Sequence, residues 1–184
     1  IPSRLVGSEM CIRDRMGALH EGHLSLIRKA KEESKIVVAS IFVNPTQFND
    51  AGDLEKYPRT VSEDIQKLIE TGTDILFLPD IGEVYPNGLT KTREYNFEKL
   101  ATVMEGKHRP GHFDGVAQVV EILLDIVQPA QLYLGQKDYQ QFLIISQLVK
   151  MTGLATTVVR CPIVRESDGL AMSSRNVRLE GENR

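Results

Sequence analysis

Cysteine is scarce in this sequence, and so are long apolar runs and any excess of one charge. The two cysteines, Cys11 and Cys161, are too few for a disulfide framework, and neither lies in a metal-cluster pattern. The longest strongly apolar run, residues 36–43, is much shorter than the roughly 20 residues that a membrane-spanning helix needs. A net charge of −3, from 22 basic and 25 acidic residues, disfavours a protein that mainly coats nucleic acid or an anionic membrane. We therefore expect a protein of the reducing cytoplasm whose partners are small molecules or other proteins.

Helix-like and strand-like segments alternate along most of the chain, which is typical of an α/β domain with a mostly parallel sheet. The 184 residues suffice for one full domain and a remnant of a second, at a prior of roughly 150 residues per domain. Apolar runs rich in β-branched residues predict strands, the clearest of them covered on both faces. Strands are predicted at 36–43, 74–79, 132–135 and 156–164, with Pro162 placing part of the last one at an edge or end.

Three helices are predicted from capping signals and hydrophobic periodicity. Thr60 and Glu63 match a capping box, so one helix should begin there and end at Gly72. Two more helices are amphipathic, one over residues 116–129 and one after Asp138.

The N-terminal segment, residues 1–15, does not fit this pattern. It has no convincing hydrophobic period, and residues 9–15 stand where an α/β domain should have its first buried strand. Their sequence, EMCIRDR, looks like translated linker. We therefore expect residues 1–15 to be non-native and a central strand to be missing, so that the domain begins at about Met16.

The densest functional signal is MGALHEGHL, residues 16–24, which precedes an apparent helix. Gly17 and Gly22 have the glycine spacing of a phosphate-binding P-loop, but His23 and Leu24 stand where that motif needs Lys and Ser or Thr. A P-loop is therefore excluded. A glycine-containing turn at a helix N-terminus still offers backbone N–H groups and a positive dipole end to an anion. Gly22 would also allow a nucleotide to approach the backbone closely.

His20 and His23 lie three residues apart and leave three hypotheses open. A zinc site would need a third protein ligand, and His108 and His112 are separated by a Pro-Gly pair that keeps them off one helical face. In the second hypothesis the two imidazoles belong to ordinary loop histidines. In the third they donate hydrogen bonds to a phosphate during a displacement at phosphorus. The last hypothesis places preorganised donors where charge develops.

Three further polar clusters each have a structural and a functional interpretation. Residues 172–175, Met-Ser-Ser-Arg, form either a solvated turn or an anion clamp of two hydroxyls and a guanidinium. Residues 135–138, Gly-Gln-Lys-Asp, are either a helix N-cap with a surface lysine or a phosphate site at a strand end. Residues 44–48, Asn-Pro-Thr-Gln-Phe, follow another strand. Gln47 and Gln141 either face solvent or contact a polar organic substrate through their amides.

Together these stretches resemble the pantothenate synthetase (pantoate–β-alanine ligase) family. The resemblance rests on MGALHEGHLSLI, SIFVNPTQF, LEKYPRT, GKHRPGHFDGVAQVV, YLGQKDYQQ and VRESDGLAMSSRN, which are spread over residues 16–176. His-x-Gly-His by itself marks a broad nucleotidyltransferase superfamily, whereas GHFDGV, GQKDYQQ and DGLAMSSRN together are specific to this family. A nucleotidyltransferase that acts on a phosphorylated acceptor would share the histidines but not those stretches.

The resemblance implies an α/β fold: a Rossmann-like parallel sheet with flanking helices, of the nucleotidyltransferase type. It implies a cytoplasmic carbon–nitrogen ligase that joins pantoate to β-alanine with ATP through a pantoyl adenylate, releasing AMP and pyrophosphate. Mg²⁺ is implied by the ATP chemistry, with few protein ligands, and Asp64 is the candidate ligand. The expected partners are these small molecules, without nucleic acid or membrane, and a homodimer is left open.

Site residues are implied by the family's motifs at the matching positions of this sequence. Catalytic roles are implied for His20, His23, Lys137 and Arg175, with His23 as the proton donor. Pantoate and β-alanine are expected at Gln47, and pantoate also at Gln141. ATP is expected at Met16, Gly17, Ala18, Leu19, His20, Glu21, Gly22, His23, Gly135, Gln136, Lys137, Asp138, Val164, Met172, Ser173, Ser174 and Arg175.

The resemblance also bears on the two ends of the chain. Family members have a buried strand and a Pro-Thr before the methionine, where Asp14 and Arg15 stand here, and they continue into a smaller C-terminal lid domain. We therefore expect an atypical segment 1–15, a Rossmann-like ATP- and pantoate-binding domain 16–176, and the start of a missing lid domain at 177–184. Since a lid excludes water from a reactive intermediate, an alternative is a nucleotide-binding fragment without turnover.

Overall fold

A sheet of five parallel strands organises the described part of the chain in this computed structural model. The structure describes residues 8–13, 19–47, 60–89, 93–176 and 179, with the backbone alone for residues 8–13 and 47. The strands, in the order β3-β2-β1-β4-β5, are all parallel to their neighbours. They are β1 (Ser8–Arg13), β2 (Ile36–Ile41), β3 (Ile75–Phe77), β4 (Gln131–Gly135) and β5 (Thr157–Cys161). The predicted strands are confirmed, and β5 ends just before Pro162 at one edge of the sheet.

Six α-helices of the described chain accompany the sheet. They are α1 (Glu21–Glu33), α2 (Val61–Glu70), α3 (Ile81–Val84), α4 (Met104–His108), α5 (His112–Val127) and α6 (Tyr139–Thr152). Short 3₁₀ turns lie at Pro45–Gln47, Glu98–Ala101 and Gln136–Asp138. Helices α2, α5 and α6 are the three that the sequence predicts, and the whole arrangement confirms the α/β class. Among the residues described, no helix is both long and apolar enough to cross a membrane.

Apolar side chains cover the two faces of the sheet in separate clusters. Successive residues of a strand point to opposite faces. In β2, Val38 belongs to the cluster that contains α5 and α6, whereas Val37 and Ala39 belong to the cluster that contains α1 and α2. In β4, Leu132 belongs to the first cluster and Tyr133 to the second. All of these side chains are at most 4% exposed. The central strands are therefore covered on both faces, as the apolar run of β2 predicts.

The N-terminal segment contains the central strand of the sheet. Strand β1 pairs in parallel with β2 along its whole length and with β4 along residues 9–11. The expectation that a central strand is missing is therefore wrong. Sequence patterns missed this strand because pairing depends on backbone N–H and C=O groups, which SEMCIR provides without a hydrophobic period. The non-native origin of residues 1–15 stays a prediction.

Helix α2 lies where it is predicted, but its start is stabilised differently. Thr60 is the N-cap residue and makes no side-chain capping hydrogen bond, so the predicted capping box with Glu63 is wrong. The reason is its ψ of 47°, which lies outside the extended region that aims an N-cap side chain at the first turn. A capping box forms instead at α3, where Asp80 N donates to Glu83 Oε2 and Glu83 N to Asp80 Oδ1, both at 2.8 Å. Gly72 follows α2 with a φ of 76°, as its predicted role requires.

Asn44, just after β2, joins the end of that strand to two other parts of the fold. The residue is 0% exposed. Its Nδ2 donates to Gly115 O at 3.1 Å, and its Oδ1 accepts from the Tyr85 hydroxyl at 2.8 Å and from Thr46 Oγ1 at 2.9 Å. A Cβ added at Gly115 would lie 2.8 Å from Thr46 O, so this contact requires glycine. The Asn44 amide therefore fixes the carboxyl end of β2 against α5.

Replacement of Asn44 by alanine should lower the free energy of unfolding by about 3 kcal/mol, because it leaves several buried polar groups without their partner. Urea unfolding measures this change, with an unchanged slope showing that the transition remains the same. Asn96→Ala is the matched control: Asn96 is exposed and accepts from Glu98 N at 3.1 Å, so it should change stability by less than about 0.5 kcal/mol. Equal effects of the two substitutions would contradict the role assigned to Asn44.

Candidate active site

A cavity of about 210 Å³ opens at the carboxyl ends of β4 and β5, beside the start of α1. Open α/β sheets bind ligands at this edge, because the loops and helix starts that follow the strands converge there. Most of the predicted site residues line this cavity. They are His20, Gly22, His23, Gly135, Lys137, Asp138, Gln141, Val164, Met172, Ser173, Ser174 and Arg175.

The other predicted residues do not line the cavity or lie outside the described residues. Those that the structure describes away from the lining are Leu19, Glu21, Gln136 and Asp64. Those outside the described residues are Met16, Gly17, Ala18 and the side chain of Gln47. The roles expected for all of these residues stay predictions.

His20 and His23 form a hydrogen-bonded pair at the start of α1. His20 is the N-cap residue, and its backbone N–H donates to His23 Nδ1 at 3.2 Å. The centroids of the two rings are 3.6 Å apart. Because a backbone N–H only donates, Nδ1 of His23 is the acceptor, and a neutral His23 carries its proton on Nε2. This tautomer gives His23, which lines the cavity, a ring N–H to donate.

Gly22 makes the packing of this pair feasible. A Cβ at Gly22 would lie 3.0 Å from both Cε1 and Nδ1 of His20, and 3.5 Å from Cβ of Met172. The His20 ring therefore occupies the space beside the glycine Cα. The small size of Gly22 also lets Met172 lie against the start of α1. The close approach of a nucleotide to Gly22 stays a prediction.

Lys137 and Asp138 form an ion pair just beyond β4. The strand ends at Gly135, and the 3₁₀ turn Gln136–Asp138 leads into α6. Lys137 Nζ lies 2.8 Å from Asp138 Oδ1, with 36% and 61% of the two side chains exposed. Since exposed pairs of this kind contribute little to stability, a more highly charged anion can compete for the ammonium group. Gln141 lies in the first turn of α6 and lines the same cavity.

The predicted anion clamp at residues 172–175 is held in place by its neighbours. Met172 N donates to Val164 O at 3.0 Å. Asn176 is 8% exposed, and its Nδ2 donates to Glu166 Oε1 at 2.6 Å. These bonds hold the two serine hydroxyls and the Arg175 guanidinium at the cavity wall, so the segment is more than a solvated turn. Asn176 is the last residue of the MSSRN stretch, and the sequence assigns it no role.

Glu105 lines the cavity and was not predicted as a site residue. Its Oε1 lies 2.5 Å from Nη1 of Arg109. The same Nη1 lies 3.1 Å from Nε2 of His112, a residue that is 1% exposed. Arg109 therefore compensates the charge of Glu105 at the cavity wall. The four-residue spacing of this acid–base pair is the signal that could have found it.

Gln140 ties the segment that carries Glu105 to α6. Gln140 is 7% exposed, and its Nε2 donates to Leu100 O and to Val103 O, both at 2.8 Å. Its Oε1 accepts from Glu105 N at 3.1 Å. Gln140 thus holds the wall with Glu105 against the helix that carries Gln141. Sequence patterns missed this residue because its partners lie 35 to 40 residues away along the chain.

Cys161, the last residue of β5, offers no nucleophile to the site. The residue is 2% exposed, and burial raises the pKa of its thiol to about 11. The thiolate is the reactive form of cysteine, and it is therefore almost absent near neutral pH. The polar side chains that line the cavity carry imidazole, ammonium, guanidinium, hydroxyl, amide and carboxylate groups instead.

Comparison with known proteins gives a consistent result over nearly the whole chain. The profile of the family described as Pantoate-beta-alanine ligase matches residues 4–184. A protein of Porphyromonas gingivalis named pantothenate synthetase is 56% identical over 169 residues, which are 92% of this chain and 59% of that protein. A pantothenate synthetase of Thermodesulfovibrio yellowstonii is 51% identical over 181 residues, which are 98% of this chain and 64% of that protein. The chain spans about three fifths of the length of these curated relatives.

Solved structures show the same similarity. A pantoate-β-alanine ligase of Francisella tularensis, complexed with beta-gamma ATP and β-alanine, matches with a TM-score of 0.88 at 47% identity, over 94% of this chain and 66% of that one. A pantothenate synthetase of Thermus thermophilus matches with a TM-score of 0.89 at 47% identity, over 96% of this chain and 63% of that one. These likenesses confirm the predicted nucleotidyltransferase type of sheet.

Replacement of Gln140 by glutamate should loosen the segment of residues 100–105, because a carboxylate accepts from Glu105 N but cannot donate to the two carbonyls. We expect faster amide hydrogen exchange in this segment and a loss of about 2 kcal/mol in the free energy of unfolding. Gln147→Glu is the matched control on the same helix, since Gln147 Nε2 donates to Asn96 O at 3.3 Å in an exposed position. Unchanged exchange at residues 100–105 in the Gln140 variant would refute the tether.

Proposed function

The chain belongs to the pantoate-β-alanine ligase family, and we propose that it carries the ATP and pantoate site of such an enzyme. The observation that carries this proposal is the convergence of three cationic or donor groups on one cavity. These are the histidine pair at the start of α1, Lys137 beyond β4, and the clamp at residues 172–175. The Francisella structure with bound ATP compound and β-alanine supports the same ligands here.

The proposed reaction has two steps. A carboxylate oxygen of pantoate first attacks the α-phosphorus of ATP, and the bond to the bridging oxygen breaks, so that pantoyl adenylate and pyrophosphate form. The amine of β-alanine then attacks the acyl carbon, loses a proton, and expels AMP to give pantothenate. The adenylate step replaces hydroxide, a poor leaving group, by AMP, a good one.

The cavity residues suit the first step. The bond to Nδ1 places the proton of a neutral His23 on Nε2, which would donate to a phosphate oxygen. Lys137 and Arg175 compensate the charge that develops on the leaving pyrophosphate. The amide of Gln141 orients pantoate without a further full charge, which would hold its carboxylate too tightly in the ground state. The same role for Gln47 stays a prediction.

Mg²⁺ belongs to this proposal as the ion that accompanies ATP. Among the described residues, no group of three or more His, Cys, Asp and Glu side chains could hold a metal ion. The carboxylates of the cavity lining are Glu105 and Asp138. Such a donor set fits Mg²⁺ held mainly by triphosphate oxygens and water, where it would compensate phosphate charge. Asp64 does not line the cavity. Its role as a protein ligand of Mg²⁺ stays a prediction.

Two alternatives make different predictions for the same sample. A related nucleotidyltransferase would transfer a nucleotidyl group to a phosphorylated acceptor and would ignore β-alanine. A nucleotide-binding fragment would bind ATP in calorimetry without forming product. Release of AMP that depends on pantoate and rises with β-alanine favours the ligase over both alternatives. The cytoplasmic location and the homodimer stay predictions.

Alanine substitution of His23 or Lys137 should each lower pantoate-dependent ATP–pyrophosphate exchange by about a hundredfold, because each removes a donor to developing charge. The exchange is followed with labelled pyrophosphate, and circular dichroism checks that the fold is retained. Lys150→Ala is the control, since Lys150 is an exposed lysine in the last turn of α6. An exchange rate equal to that of the parent chain in either variant would exclude that residue from the reaction.

A further inference from the structure

Helix α2 holds both backbone polar groups of Leu19, the residue directly before the histidine pair. Leu19 N donates to Asp64 Oδ1 at 2.6 Å, and Leu19 O accepts from Lys67 Nζ at 2.8 Å. Asp64 is 1% exposed and Leu19 is 5% exposed, so water has little access to these bonds. The two contacts join residues 45 and 48 positions apart. Neither is explained by the cavity, because Leu19, Asp64 and Lys67 do not line it.

We propose that Lys67 is a positioning residue for His23 and acts through the peptide group between Leu19 and His20. The C=O of this peptide accepts from Lys67, and the N–H of the same peptide donates to His23 Nδ1 at 3.2 Å. Because a peptide group is planar, fixing its carbonyl also fixes the direction of its N–H. The Lys67 ammonium therefore determines where the donor for His23 points.

The charge of Lys67 adds an electronic effect to this geometric one. A cation on the carbonyl polarises the peptide, and hydrogen bonds in a chain strengthen one another in a low-dielectric interior. The His20 N–H is thereby a stronger donor, which stabilises the His23 tautomer with its proton on Nε2. Asp64 fixes the preceding peptide through Leu19 N, so the peptides on both sides of the Leu19 Cα are bonded to α2. The inference deepens the proposed function, since it concerns the donor that His23 presents to phosphate.

The test compares Lys67→Met, which removes the ammonium and keeps the apolar stem, with Lys67→Arg, which restores a cation of similar reach. The first readout is the ¹⁵N NMR spectrum of the histidine rings in the chain without ligands, which distinguishes the two tautomers. We expect His23 to carry its proton on Nε2 in the parent chain and in Lys67→Arg, and to show a tautomer mixture in Lys67→Met.

The second readout separates catalysis from binding. In Lys67→Met we expect the maximal rate of ATP–pyrophosphate exchange to fall by about tenfold to a hundredfold, with a much smaller change in the KM for ATP. Gln66→Met is the matched control on the exposed side of α2, where Gln66 Nε2 donates to Glu70 Oε1 at 3.0 Å. Urea unfolding of all variants shows which of them retain the parent stability.

Asp64 provides a second arm that remains informative if Lys67→Met folds poorly. Asp64→Asn keeps an oxygen that accepts from Leu19 N, so it should retain the parent tautomer of His23, whereas Asp64→Ala should not. A parent-like tautomer and exchange rate in both Lys67→Met and Asp64→Ala would overturn the proposal. Absence of exchange in the parent chain would count against the proposed function alone, because the tautomer measurement needs no substrate.

Discussion

The arrangement of the site depends on the parallel pairing of β1 with both β2 and β4. From β1 the chain proceeds outward to β2 and β3, whereas β4 and β5 lie on its other side. The connections thus diverge between β1 and β4, and such a switch point leaves a crevice at the carboxyl edge of the sheet. Helix α1 follows β1, and the turn with Lys137 follows β4, so adjacency of these two strands places the histidine pair beside the lysine. Adjacency of β4 and β5 adds Val164 in the same way.

Side chains, rather than the helix terminus alone, provide the donors at the start of α1. The sequence suggests a glycine-containing helix start with backbone N–H groups for an anion. In the structure, His20 N donates to His23 Nδ1, and the N–H groups of His23 and Leu24 both donate to His20 O. These groups are already used within the chain. The bond to Nδ1 leaves the Nε2–H of His23 as a side-chain donor in this segment, and His23 lines the cavity.

Local patterns predicted most of the fold, and the exceptions share a physical cause. Burial of apolar side chains leaves a hydrophobic pattern in a sequence, and this pattern predicts β2, α5 and α6. Strand β1 is not, because its place in the sheet depends on backbone pairing. The capping box at Thr60 failed because a side-chain motif does not determine the ψ of its own residue.

The candidate site shows the same division between local and long-range information. The segments that line the cavity were predicted because each is a short motif next to a strand end or a helix start. Gln140 and the contact of Lys67 with Leu19 were not, because polar contacts across 35 to 48 residues leave no period in a sequence. Their identification requires the three-dimensional arrangement. Glu105 was missed although its pairing with Arg109, four residues later, is a local pattern.

The charges at the cavity are divided in a way that suits two anionic substrates. Lys137 and Arg175 supply positive charge at the cavity, which would favour the triphosphate of the proposed reaction. The carboxylate of Glu105 would repel a second anion, but its pairing with Arg109 removes most of that repulsion. In the proposed reaction, the neutral amide of Gln141 would meet the pantoate carboxylate without a counter-charge. Since an ion pair there would stabilise the bound carboxylate and weaken its attack, a neutral amide is better suited to a nucleophile.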